Sequence, residues 1–387
     1  MTDAAINVPA TRTPYYKELA RAIQAHGGHF NSHLHLDRAG TYHETLRILT
    51  GSTLQDATTL TLAGKHALIP LIHQSALYDP PVLAERVAFY LDEMIAAGTR
   101  RADSVVDTTA DRVELSALHV FAELQDRYRG RLDLRFGAYT PLGLRDDEPR
   151  RWALLEEGAR FADFLGLLPE RDDREMYPDH IGFRESCLRG ISLARSLGKH
   201  IHIHVDQANH AAEGATEILL DVLDEIGGPV PQPEPDVWLI HVISPSTYDE
   251  GRFETLVQRM AGHNVGVITC PSGAISMRQY RGLTSPTFNS IARVLEFLAA
   301  GIQVRIGSDN ICDVTSPLGT PDMMDEVFVL ANALRFYDIE ILAKLAAGKA
   351  LDAAERARIA AHLENDREIA GRIEAGVRAK LDARPRG

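Results

Sequence analysis

Short runs rich in Val, Ile and Leu alternate along the chain with longer stretches whose apolar residues recur at helical spacing. The strand-like runs are 29–37, 102–110, 131–140, 162–169, 199–207, 236–244, 264–271 and 303–310. Helix-like segments such as 113–128, 184–198 and 290–301 lie between them. Alternation of this kind produces a parallel sheet, and eight repeats predict an α/β fold of the (β/α)8 TIM-barrel type. Gly198 and Gly301 fall where helices must stop before the next strand. The stretch 39–100 is longer than one crossover helix needs, so its first part is expected to fold over the barrel mouth as a cap or partner surface. The Pro- and Gly-rich run 224–236 reads as a surface loop, and everything after 320 reads as helical. The expected division is an N-terminal helical segment (1–28), a barrel (29–335) and a helical C-terminal extension (336–387).

Composition narrows the function without naming it. Hydrophobic residues make up 45% and charged residues 25% of 387 residues, an ordinary globular balance. A net charge of −13 argues against nucleic acid and anionic membrane surfaces as partners. No apolar run reaches the ~20 residues of a membrane span, and the N-terminus lacks a basic-then-apolar signal pattern. Cys187, Cys270 and Cys312 are scattered and form neither a disulfide framework nor a C-x-x-C motif. The expectation is a cytoplasmic protein acting on a small molecule, with a homo-oligomer left open.

The chemistry stands at strand ends. His33 and His35 form an H-x-H, and residues two apart on a strand face the same way. His204, His241 and Asp309 end the fifth, sixth and eighth strands. Imidazoles and a carboxylate converging on one barrel mouth suit zinc or iron, and an open position makes such a site catalytic. His202 shares a strand face with His204 and stands as either a further imidazole near the metal or a buried barrel residue. Asp107, Thr108 and Tyr139 also face the mouth.

The ordered set HLHLD (33–37), HVDQ (204–207), HVISPS (241–246) and SDNICDVTSPLGTPDMM (from Ser308) resembles the amidohydrolase superfamily, in particular its cytosine deaminase and N-isopropylammelide amidohydrolase-like branch. The resemblance covers roughly 29–335. It implies one divalent metal, Zn or Fe, held by His33, His35, His204 and Asp309. It further implies a hydrolase attacking a C–N bond with a metal-bound hydroxide. Asp309 then serves as proton acceptor and His241 stabilises the oxygen developing on the substrate. Gln207 and Arg278 are the expected substrate contacts, and Asp37 and Asp206 the expected supports behind the ligands. The fourth strand carries no Lys to bridge two metals, which favours one ion.

The chain departs from the family pattern in three places. Gln207 replaces the Glu that shuttles protons in cytosine deaminases, and an amide cannot give up and recover a proton. Glu213 and Asp206 are the substitutes close by in sequence. The tail reads as helical rather than as part of a β-sandwich, and Arg38 stands where the family has Lys. The substrate is therefore expected to be a small cyclic nitrogen compound, with amide or N-substituted substrates favoured. Heteroaromatic ring deamination is the alternative, and a catalytically inactive metal-binding barrel the second one.

Overall fold

A computed structural model describes residues 12–230, 233–277 and 291–382. Its strands are β1 (His29–Leu34), β2 (Thr99–Asp107), β3 (Asp133–Thr140), β4 (Phe164–Leu167), β5 (Ile201–Val205), β6 (Val237–His241), β7 (Gly266–Thr269) and β8 (Val304–Ile306). They form one parallel sheet in chain order. The sheet closes at its carboxyl end. Asp309 N donates to His33 O at 3.0 Å, and His35 N donates to Asp309 O at 3.2 Å. Such closeness requires Gly307, where a Cβ would stand 2.6 Å from His33 O. The fold is the (β/α)8 barrel expected from the alternation.

Period-two alternation sorts the side chains. Val106, Leu165, Ile203, Leu239 and Val267 belong to the large apolar cluster between strands and helices. Val105, Tyr139, Phe164 and Leu168 form a separate cluster, as do Trp238, Ile240, Ile268 and Cys270. The parity of these two groups is that of the barrel interior. His33, His35, His202, His204, Asp107 and Asp309 occupy the same inward parity on their own strands and are all buried. The interior therefore holds both apolar filling and polar groups.

The helices fall where the sequence placed them, including Ser116–Tyr128, Phe183–Ser196 and Met323–Leu334. Gly198 and Gly301 have φ of +63° and +88°, the left-handed conformation that ends a helix. Helix Ile339–Ala346 packs against β1 and β8, and Pro14–Ala25 packs on that helix. Helix Ala353–Asp382 touches Val294–Ala299 near its start, and its residues from Glu364 to Lys380 are exposed. Among the described residues, no helix is long and apolar enough to cross a membrane.

The long β1–β2 connection builds a cap from four short helices: Tyr42–Ile48, Leu54–Thr58, Leu62–His66 and Ile69–His73. Thr53 and Asp56 form a capping box, and Thr61 caps the next turn. Buried charge ties the cap to the barrel. His73 Nε2 lies 3.0 Å from Asp107 Oδ2 and its Nδ1 2.6 Å from Asp111 Oδ2. Arg38 Nε donates to Asp107 Oδ2 at 2.9 Å. Arg86 donates to the carbonyls of Asp37, Ala39 and Leu77, fixing the chain as it leaves β1.

Burial alone would lower the His73 pKa, but its bonds to Asp107 and Asp111 outweigh this and raise it to about 9. A raised folded-state pKa stabilises fully below the unfolded value of about 6.5 and is lost as pH rises through the folded one. The stability gap between wild type and His73→Gln should therefore be largest below about pH 6.5. It should shrink towards pH 9, at a limiting slope of about 1.4 kcal/mol per unit. Melting curves across that range check it, and a gap independent of pH would mean that His73 is not charged in the fold.

Candidate metal centre and active-site cavity

The inward positions at the carboxyl ends of β1, β5 and β8 bring four side chains to one point. One donor atom from each of His33, His35, His204 and Asp309 lies within 4.8 Å of all the others. His33 Nε2 stands 3.1 Å from His204 Nε2, and His35 Nε2 stands 3.4 Å from Asp309 Oδ1. Two donors at roughly 2.0–2.1 Å from a tetrahedral ion stand about 3.3 Å apart, so these spacings fit a zinc-sized ion. All four side chains are buried.

The surroundings prepare these groups to ligate. Burial is the main cause holding the imidazoles neutral. It lowers His35 and His204 to about 3, and His33, with adjoining imidazoles adding to the effect, well below the usual range. A neutral ring keeps the lone pair that a metal needs. His204 Nδ1 lies 3.1 Å from Leu167 O, so it carries the proton and leaves Nε2 as the donor atom. His33 Nδ1 lies 3.2 Å from His202 Nδ1, which makes His202 the support behind His33. His35 Nδ1 has no hydrogen-bond partner among the described residues.

Strand alternation with Trp238 and Ile240 inward would turn His241 towards the helices. The strand instead ends in left-handed backbone, with φ of +77° at His241 and +49° at Val242, and the imidazole lines the cavity. Its ring lies 5.5 Å from that of His204, and burial lowers its pKa to about 4. Asp309 also has positive φ, +59°. Conformations of this kind cost energy for residues other than Gly and concentrate at functional sites.

A cavity of about 680 Å3 opens above this cluster. The barrel contributes His35, Arg38, Tyr139, Glu170, His204, Gln207, His241 and Asp309, and the cap contributes Gln55, Leu60, Leu62 and His66. The size suits a small ligand. The β1–β2 connection thus reaches over the mouth, as expected of it.

Several expected roles change in the fold. Asp37 does not orient a ligand imidazole. Its Oδ2 accepts from Tyr78 Oη at 3.2 Å and from Asp107 N at 2.9 Å, because the chain turns away from the site after His35. Asp206, with φ of +55°, accepts from Ala215 N and Thr216 N and so caps helix Ala215–Glu225. It supports the loop carrying Gln207 rather than a ligand. Arg38 is drawn to Asp107, although it still lines the cavity. Arg278 lies outside the described residues.

Glu170 escaped the sequence reading. It follows β4 in the short turn Pro169–Asp172, and its Oε2 accepts from Gln207 Nε2 at 2.7 Å. The one available signal was its place, an acidic residue just past a strand end.

No family model matches the chain. By sequence, a protein of Haemophilus influenzae described as uncharacterized is 28% identical over 276 residues, which is 70% of this chain and 91% of that protein. Among solved structures, 5-methylcytosine deaminase from Klebsiella pneumoniae, liganded with phosphonocytosine, superposes with a TM-score of 0.69 at 19% identity. The match covers 82% of this chain and 73% of that one. N-isopropylammelide isopropylaminohydrolase from Burkholderia multivorans superposes with a TM-score of 0.60 at 21% identity, over 83% and 73%. At such identities the likeness shows the fold. By name these neighbours are a deaminase and an isopropylaminohydrolase, the two activities of the branch that the motifs resemble.

Purified protein dialysed against metal-free buffer should retain about one divalent ion per chain, the capacity of one four-donor site. His204→Ala should lose most of it while keeping the barrel's circular dichroism. Two ions per chain by elemental analysis would contradict the single-site reading.

Proposed function

We propose that the protein is a metal-dependent hydrolase of a C–N bond in a small cyclic nitrogen compound. The observation that carries this is the donor set of His33, His35, His204 and Asp309, of which His35, His204 and Asp309 line one cavity with His241 and Gln207. The resident ion is zinc or iron, both of which accept imidazole and carboxylate donors. Bound there, it supplies Lewis acidity and brings the pKa of a water in the site towards ~7.

The remaining work falls to side chains of this chain. Asp309 accepts a proton from the attacking water and passes it to the leaving nitrogen. His241, neutral because it is buried, donates an N–H to the oxygen that gains charge as the substrate carbon becomes tetrahedral. Gln207 hydrogen-bonds the substrate ring. Tyr139 and the cap residues Leu60 and Leu62 exclude water from its faces. Ring deamination of the cytosine deaminase type is the second reading. It is favoured by a carboxyl group, Glu170, on the same cavity wall.

Metal-loaded protein tested against amides, lactams, aminopyrimidines and aminotriazines, with ammonia and amine release followed, tests the reading. Turnover of none of these classes would count against C–N hydrolysis. On the best substrate, Asp309→Asn should lower kcat by ~10²–10⁴-fold, the usual contribution of a general acid–base group. His241→Asn should lose a comparable factor while keeping its metal. If His241→Asn emptied the site, His241 would be a ligand rather than an oxyanion donor.

A further inference from the structure

In cytosine deaminases a Glu stands at the place of Gln207 and carries protons between the ring nitrogen and the rest of the site. Gln207 cannot do so, because a side-chain amide does not exchange a proton at neutral pH. A ring substrate still needs a proton at that place. When water adds to a ring C=N carbon, the π pair goes to nitrogen, which must be protonated as the C–O bond forms.

The structure puts a carboxyl there from a different strand. Glu170 lines the cavity, and Gln207 Nε2 donates to its Oε2 at 2.7 Å. Among the described residues its Oε1 is out of contact with solvent and takes no hydrogen bond from a donor, with the Glu213 carboxyl beside the same group. An oxygen in that state is a buried orphan if ionised and can donate if protonated. The carboxyls of Glu213 and Asp206 lie nearby. Glu213 accepts from Ala208 N at 2.8 Å and from Ser244 Oγ, and Asp206 accepts from the helix start at Ala215 and Thr216. Both therefore have partners of their own, Glu213 also meets the Glu170 carboxyl, and of the three it is Glu170 that lines the cavity.

We infer that Glu170 is the proton carrier of this enzyme, standing in from the end of β4 for the carboxylate that Gln207 lacks. This rests on the C–N hydrolase reading above. In the step it would serve, the water oxygen bonds to the ring carbon, one water proton passes to Asp309, and the ring nitrogen takes the proton of Glu170. The exocyclic C–N bond then breaks with its electron pair on nitrogen, which takes the proton held by Asp309. The hydroxyl left on carbon becomes a carbonyl and returns its proton to Glu170. Both side chains end as they began, and one water has been consumed. Burial first, then the nearby charges of Glu213 and Asp206, pushes Glu170 well above the usual carboxyl range, which favours the protonated form that the cycle needs at its start. Gln207 becomes the residue that orients the carrier.

The test uses full-length, metal-loaded protein. Glu170→Gln keeps the shape and the bond to Gln207. It should lower kcat by ~10²–10⁴-fold with KM and metal content little changed. The double variant Glu170→Gln/Gln207→Glu returns a carboxyl to the same pair and should recover at least roughly tenfold of that loss. A second readout needs no turnover: the wild-type minus Glu170→Gln infrared difference spectrum at neutral pH should contain the carbonyl band of a protonated carboxylic acid. An active wild type with Glu170→Gln within about threefold of it, or a difference spectrum lacking that band, overturns the assignment of Glu170 alone. A wild type that releases no amine or ammonia from any ring substrate overturns the functional reading instead.

Discussion

Everything at this site follows from the closure of β8 on β1. The two strands share backbone hydrogen bonds at His33, His35 and Asp309, so three of the four donors are fixed by the same ladder that completes the barrel. Gly307 permits the approach, since any side chain there would strike the His33 backbone. His204 then arrives from across the interior on the inward parity of β5. Site and seam are one structural feature, and a change that loosens the seam moves the donors.

Burial completes what closure begins. Three imidazoles whose donor atoms lie within 4.8 Å of one another would repel if charged, and removal from water keeps them neutral. His202 and the Leu167 carbonyl occupy the far nitrogens of His33 and His204, leaving the near nitrogens to face each other. Such back-side partners set ring orientation, and their loss commonly weakens metal binding. The buried network of Arg38, Asp107, His73 and Asp111 works at a larger scale. It joins the end of β2 to the cap, so the cavity roof is fastened beside the cavity floor.

The pairing of Gln207 with Glu170 bears on substrate choice. In the sequence, the missing Glu at position 207 favoured amide or N-substituted substrates over ring deamination. With a buried carboxyl on the same wall, the preference loses its basis, because the role and the strand that supplies it are separable. A barrel brings the ends of all strands to one rim, so the rim can supply a functional group from either of two neighbouring strands.

Much of the fold and the donor set was legible locally. The eight strand runs, the glycine stops and the helical tail each depend on periodicity and on single residues with special backbone freedom. An H-x-H on one strand face requires only the pleat. The same holds for His204, whose inward parity follows from its own strand. The tertiary structure alone decided the rest. His241 faces the cavity because the backbone turns left-handed at the strand end, which alternation cannot foretell. Asp37 and Asp206 found partners on other elements, a tyrosine and a backbone amide for one and a helix start for the other. Glu170 reaches Gln207 across 37 residues of chain. Local pattern fixes which way a side chain points from its own strand. What it meets there is set by how distant segments pack, and buried polar groups take whichever partner that packing brings within reach.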